Sequence, residues 1–129
     1  MKKMTTMLLL VLLFTQCSSE PIQDTDKISK ISEEILNNLT ATNFEAARKD
    51  FDSTMKNVLS EEQLKTVWDG LIGQVGAYQE SGKTILDTIE EYRVVYIILK
   101  FENAPLKLKV VFSDDDLVSG LFIVPVNAK

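Results

Sequence analysis

At 129 residues the chain is long enough for one domain with one core, and its 45% hydrophobic fraction excludes wholesale disorder. Nineteen acidic residues against 14 basic ones give a net charge of −5, with no basic cluster, so phosphate backbones repel the surface and nucleic-acid binding is not expected. There is no histidine and one cysteine, which removes Ser-His-Asp and Cys-His relays, His-based zinc sites and any disulfide within the chain.

Residues 1–16 have the layout of a secretory signal. Lys2 and Lys3 form a positive start, and the apolar run from Met7 to Phe14 has the length of a signal core. A membrane-spanning helix needs about 20 apolar residues, so this run is too short to be one. Phe14-Thr15-Gln16-Cys17-Ser18-Ser19 follows, and a lone cysteine at this junction resembles the lipobox of bacterial lipoproteins. Phe14 and Gln16 stand where that pattern usually has Leu and a small residue. The resemblance implies acylation of Cys17, cleavage before it, and display on the cell envelope facing the periplasm or exterior. The alternative is ordinary cleavage after Ser19 and release as a secreted protein. Loss of Lys2 and Lys3 with the leader makes the mature part more acidic, so anionic headgroups would repel it and membrane attachment would come from the lipid.

Residues 17–25 are polar around Pro21 and read as the lipidated cysteine with a flexible tether; one domain then occupies 26–129. Ile28, Ile31, Ile35, Leu36 and Leu39 recur at helical spacing, giving a helix over Asp26 to Leu39. Thr42 and Glu45 have capping-box spacing, and Phe44, Ala47, Phe51 and Met55 supply the stripe of a second helix. Ser60-Glu61-Glu62-Gln63 is a further capping box, with Leu59 and Leu64 placed for a hydrophobic staple. Leu64, Val67, Trp68, Leu71, Ile72 and Val75 line one face of this third helix, and Gly76 is a natural stop.

Beyond Gly76 the period changes to two. Tyr78 to Ile89 reads as a strand with Gly82 at a bulge or turn, and Tyr92 to Phe101 as a strand apolar on both faces. Glu102 to Pro105 turns the chain. Leu106, Leu108, Val110 and Phe112 alternate with Lys107 and Lys109 in a half-exposed strand. Asp114 to Asp116 turn it into a last strand, Leu117 to Val124. Helices followed by an antiparallel meander predict an α+β domain, its helices packed on one face of a four-stranded sheet. The other face of Tyr92 to Phe101 would need cover, and a homodimer through it would supply that cover.

The order of elements looks like the nuclear-transport-factor-2-like, or cystatin-like, cone with its curved sheet. Leu59-Ser-Glu-Glu-Gln-Leu64, Trp68, Gly76, Val110-Val-Phe112 and Gly120 to Pro125 resemble, more specifically, the bacterial domain-of-unknown-function family 3887, over Ile28 to Pro125. The resemblance implies a cavity between sheet and helices, and membership of a group found on exported proteins and sometimes fused to hydrolases. It brings no catalytic residues.

No catalytic residue, cofactor or metal site is expected. Asp114-Asp115-Asp116 lacks the alternating acids and glycine of a calcium loop and reads as a solvated turn. The adjacent pairs Glu33-Glu34, Glu61-Glu62 and Glu90-Glu91 point apart on any regular element. Ser81-Gly82-Lys83-Thr84 ends like a phosphate loop, but Ala77 occupies the position of its first glycine. The aromatics read first as core; Trp68 and Tyr96, with Phe44 and Phe51, are the candidates to line an open cavity for an apolar ligand or peptide. The leading expectation is a noncatalytic binding or accessory domain, contacting a protein partner or a small apolar ligand. The alternatives are a small isomerase or hydrolase using a buried carboxylate or Tyr, with Asp69 and Asp87 as the acids to check, and a purely structural lipoprotein.

Overall fold

The computed structural model describes residues 22–128. Cys17, the leader and the first part of the tether lie outside the described residues. Helix α1 spans Ile22–Thr40, four residues longer at its start than the Ile periodicity predicts, so it takes in the end of the expected tether. It buries Ile28, Ile31, Ile35, Leu36 and Leu39 on one stripe, and Ser32 within that stripe returns its hydroxyl to the Ile28 carbonyl at 2.8 Å.

The single helix expected after Thr42 is two short ones, α2 (Phe44–Ala47) and α3 (Ser53–Val58). Thr42 takes a left-handed φ of 60°, which places it outside the helix, and Asn43 becomes the N-cap, accepting from the Ala46 amide. The break over residues 48–52 has a partner. Phe51 forms an isolated parallel bridge with Val118; the Asp52 amide donates to the Val118 carbonyl at 2.9 Å, and the Val118 amide donates to the Asp50 carbonyl at 2.8 Å. Asp52 then caps α3 through the Met55 amide. Tertiary backbone pairing overrides the helical stripe here, while Phe44, Ala47, Phe51 and Met55 still reach the core.

Helix α4 (Glu61–Val75) starts on the full Ser60–Gln63 capping box and ends at Gly76, whose φ of 88° only glycine adopts freely. Strands β1 (Tyr78–Ile89), β2 (Tyr92–Phe101), β3 (Pro105–Phe112) and β4 (Val118–Pro125) form an antiparallel sheet in chain order, and Gly82 lies in a register shift of β1. The fold is α+β, as the periodicity predicts.

Alternation divides β2 into two faces. Val95, Ile97, Leu99 and Phe101 join Leu108, Val110 and Phe112 of β3 beneath the helices. On the outer face, Val94 and Tyr96 are also buried, outside the cluster that packs beneath the helices. Part of their cover comes from lysine: Lys107, expected in solvent, is 9% exposed, and its ammonium lies 4.3 Å from the centre of the Tyr96 ring. The aliphatic stem shields apolar surface while the charge meets the ring face.

Candidate functional site: an apolar groove between helix α4 and the edge strand

Leu64 and Trp68 are the buried residues of α4; the Trp68 ring lies 6.0 Å from that of Phe101, tilted by 57°. Val67, read from the sequence as part of the buried stripe, is 55% exposed. It borders a gap, because α4 leaves the inner face of β4 partly uncovered. The result is an open cavity of about 420 Å³, walled by Trp68, Leu71 and Gly70 on α4 and by Leu121 and Ile123 on β4, with Leu108 also lining it. This volume falls within the range of small-ligand sites, and the lining is mainly apolar. An ideal Cβ built on Gly70 meets nothing within 4 Å, so this wall is open to an approaching group.

Of the four aromatic candidates, Trp68 lines this groove and the other three do not. Phe44 and Phe51 are 5% and 2% exposed and serve as core. Tyr96 sits on the opposite face of the sheet, paired with Ile85 and Lys109, so it cannot share a cavity with Trp68. Both faces of β2 are apolar, and the sequence alone does not say which one the helices cover. Leu71, Leu121 and Ile123 are not recognisable as groove residues in the sequence, because apolar periodicity cannot distinguish a covered stripe from an uncovered one.

The Tyr96 hydroxyl is buried without a hydrogen-bond partner. Burial raises its pKa above the ordinary tyrosine value, and the negative charge of Asp87 adds to the rise. The acids suited to proton transfer are in solvent: Asp69 is ion-paired with Lys65 at 2.6 Å on the surface of α4, and Asp87 is exposed. Among the described residues the buried polar or charged ones are Ser32 and Lys107, so no carboxylate is buried there. No group of three or more His, Cys, Asp or Glu residues could hold a metal among the described residues. Nor is any described helix long and apolar enough to cross a membrane.

The aspartate run does form a turn, but its last member is structural. Asp116 accepts from Arg93 at 2.7 Å and from Lys27 at 3.2 Å. Burial alone would raise its pKa; the hydrogen bonds and charges of Arg93 and Lys27 outweigh burial and hold it below the ordinary value.

A protein from Ruminococcus gnavus solved by NMR has a similar fold, with a TM-score of 0.56 over 81% of this chain and 94% of that one, at 16% identity. Esterase EstD of Thermotoga maritima is 29% identical over 84 residues, which are 65% of this chain and 20% of the esterase; the chain thus spans about a fifth of that relative's length. Residues 32–121 match the family described as protein of unknown function (DUF3887), and the chain belongs to that family.

Proposed function

We propose that this chain is a noncatalytic binding or accessory domain of nuclear-transport-factor-2-like shape, displayed at the cell envelope by a lipid on Cys17. Its groove beside Trp68 receives an apolar group of a protein partner or of a small ligand. The observation that carries this reading is the open, apolar groove between α4 and β4. An accessory role also suits a domain whose similarity to a larger esterase covers a fifth of that protein. These 129 residues contain no histidine, so the reading places no Ser-His-Asp relay in them. A second copy packed on the outer sheet face is the accompanying proposal, checked by light scattering; a clean monomer rejects it.

Titration with dodecanol, followed by the emission of Trp68, tests the groove. A saturable change is expected, and Gly70→Phe should abolish it by filling the groove without meeting a neighbour at its Cβ. No saturable change in the parent, or no effect of Gly70→Phe, rejects the reading. Anchoring is tested separately by intact mass: the parent should carry acyl chains and Cys17→Ser should not, so a lipid-free parent rejects it.

A further inference from the structure

Five of the nine exposed large hydrophobic side chains among the described residues gather at one end of the domain. Ile85, Leu86, Ile89 and Tyr92 lie on the distal half of the β1–β2 hairpin, where Ile89 and Tyr92 are direct partners. Leu117 lies in the β3–β4 connection. In a meander of this order, alternate turns share an end, so both connections are on the same side of the sheet. Arg93 and Asp116 tie them together at 2.7 Å.

Helix α1 begins at this same end, because Lys27, near its start, pairs with Asp116. Four residues separate Cys17 from Ile22. Even fully extended, that length of chain reaches at most about 18 Å. The ten residues of β2 alone extend about 33 Å, and α1 about 28 Å, so the far end of the domain lies well beyond that reach. An acyl group on Cys17 therefore enters the membrane next to the end that exposes these apolar residues.

We propose that this end is a membrane-docking surface, with Ile85, Leu86, Ile89, Tyr92 and Leu117 resting among the headgroups of a zwitterionic bilayer. The proposal rests on acylation of Cys17, which supplies the attachment, and adds the orientation in which the domain then sits. Tyrosine and aliphatic side chains side by side suit the boundary between headgroups and hydrocarbon. The charge at this end selects the lipid. Glu90, Glu91, Asp114 and Asp115 are exposed around the apolar residues, and they disfavour an anionic surface within a Debye length. Docked in this way, the C-terminal end of α1, where Leu39 lines the groove, points away from the bilayer, leaving the groove accessible.

The test uses the acylated full chain in phosphatidylcholine vesicles whose acyl chains carry bromine, a contact quencher of tryptophan. The parent's one tryptophan, Trp68, is 6% exposed in the core and sets the baseline. Tyr92→Trp and Leu117→Trp both place an indole at exposed positions, so neither depends on repacking the core. Each should be quenched about twofold or more relative to the parent, as expected of a ring at the headgroup boundary. Enrichment in phosphatidylglycerol should reduce that quenching. Intact mass is measured on the same samples. An acylated chain without extra quenching overturns the docking surface and leaves the anchor standing. An unacylated parent overturns both, and stronger quenching on phosphatidylglycerol overturns the zwitterionic assignment.

Discussion

Two glycines three residues apart should respond to the same substitution with opposite signs. Gly76 ends α4 at φ 88° and ψ −176°, and a Cβ there would stand 2.6 Å from the Cβ of Glu102 and 2.7 Å from its Oε1. That oxygen also accepts the Ala77 amide at 2.9 Å, holding the helix end to the β2–β3 turn. Gly76→Ala therefore strains the backbone by about 1–3 kcal/mol and displaces a charge-assisted hydrogen bond worth roughly 1 kcal/mol at this exposed position. Reduced freedom of the unfolded chain returns about 0.4–1 kcal/mol, leaving a loss of about 1–3.5 kcal/mol. Gly73 lies inside α4, exposed, and a Cβ added there would meet nothing within 4 Å, so Gly73→Ala should gain about 0.5–1 kcal/mol from helix propensity. Urea unfolding at equilibrium measures both. The midpoints should move in opposite directions, and for a domain of this size the melting temperatures should separate by more than about 6 °C. If Gly76→Ala lost less than about 1 kcal/mol, or if both variants moved together, the geometric argument would be refuted.

Tyr96→Phe removes a buried hydroxyl that has no partner, so stability should be unchanged or rise by up to about 1 kcal/mol in urea unfolding; a clear loss would mean the hydroxyl is bonded. Because burial raises the folded-state pKa of Tyr96, its contribution is fully present below the unfolded value of about 10 and is lost as pH rises through the folded value. Tyr96→Phe should flatten that alkaline decline, and an unchanged slope would count against the assignment. Asp116→Asn should cost about 1–2 kcal/mol, with most of the effect from the half-buried Arg93 and little from Lys27, which is largely in solvent. The folded pKa of Asp116 is depressed, so the gap between parent and variant should be full above the unfolded value of about 3.9 and close as pH falls through the lower folded value. A gap that persists under acid would contradict this.

The strands and α4 are legible in the sequence because their signals are local. The capping box at Ser60, the stop at Gly76, the continuous apolar and β-branched run of β2 and the alternation through β3 each state one conformation, and the structure adopts it. The helix after Thr42 is not legible as two, because its break depends on a bridge from Phe51 to Val118, a partner 67 positions away that no local pattern announces. Thr42 and Asn43 are both good caps, and the left-handed turn at Thr42 hands the role to Asn43. Lys107 reads as exposed because alternation assigns it to an outer face, and alternation says nothing of a ring beside it. The groove is the least legible feature. It is a gap set by how α4 stands against β4, so Val67, Leu71, Leu121 and Ile123 look like ordinary core residues until both elements are placed.

The bridge between Phe51 and Val118 also bears on how the chain acquires its structure. Neighbouring strands pair through short turns and close cheaply, but this bridge and the Lys27–Asp116 pair join the helical half to the final connection over distances of tens of residues. Such closures carry the largest entropic cost and slow folding most. A ribosome releases the helices first, so the stripe from Ile28 to Leu39 must wait for β2 and β3 before it is covered, and for β4 before the break at residues 48–52 is pinned. Until then the nascent domain exposes an adhesive amphipathic helix, the species most in need of a chaperone. A chain cut short before Val118 would be held permanently in that state.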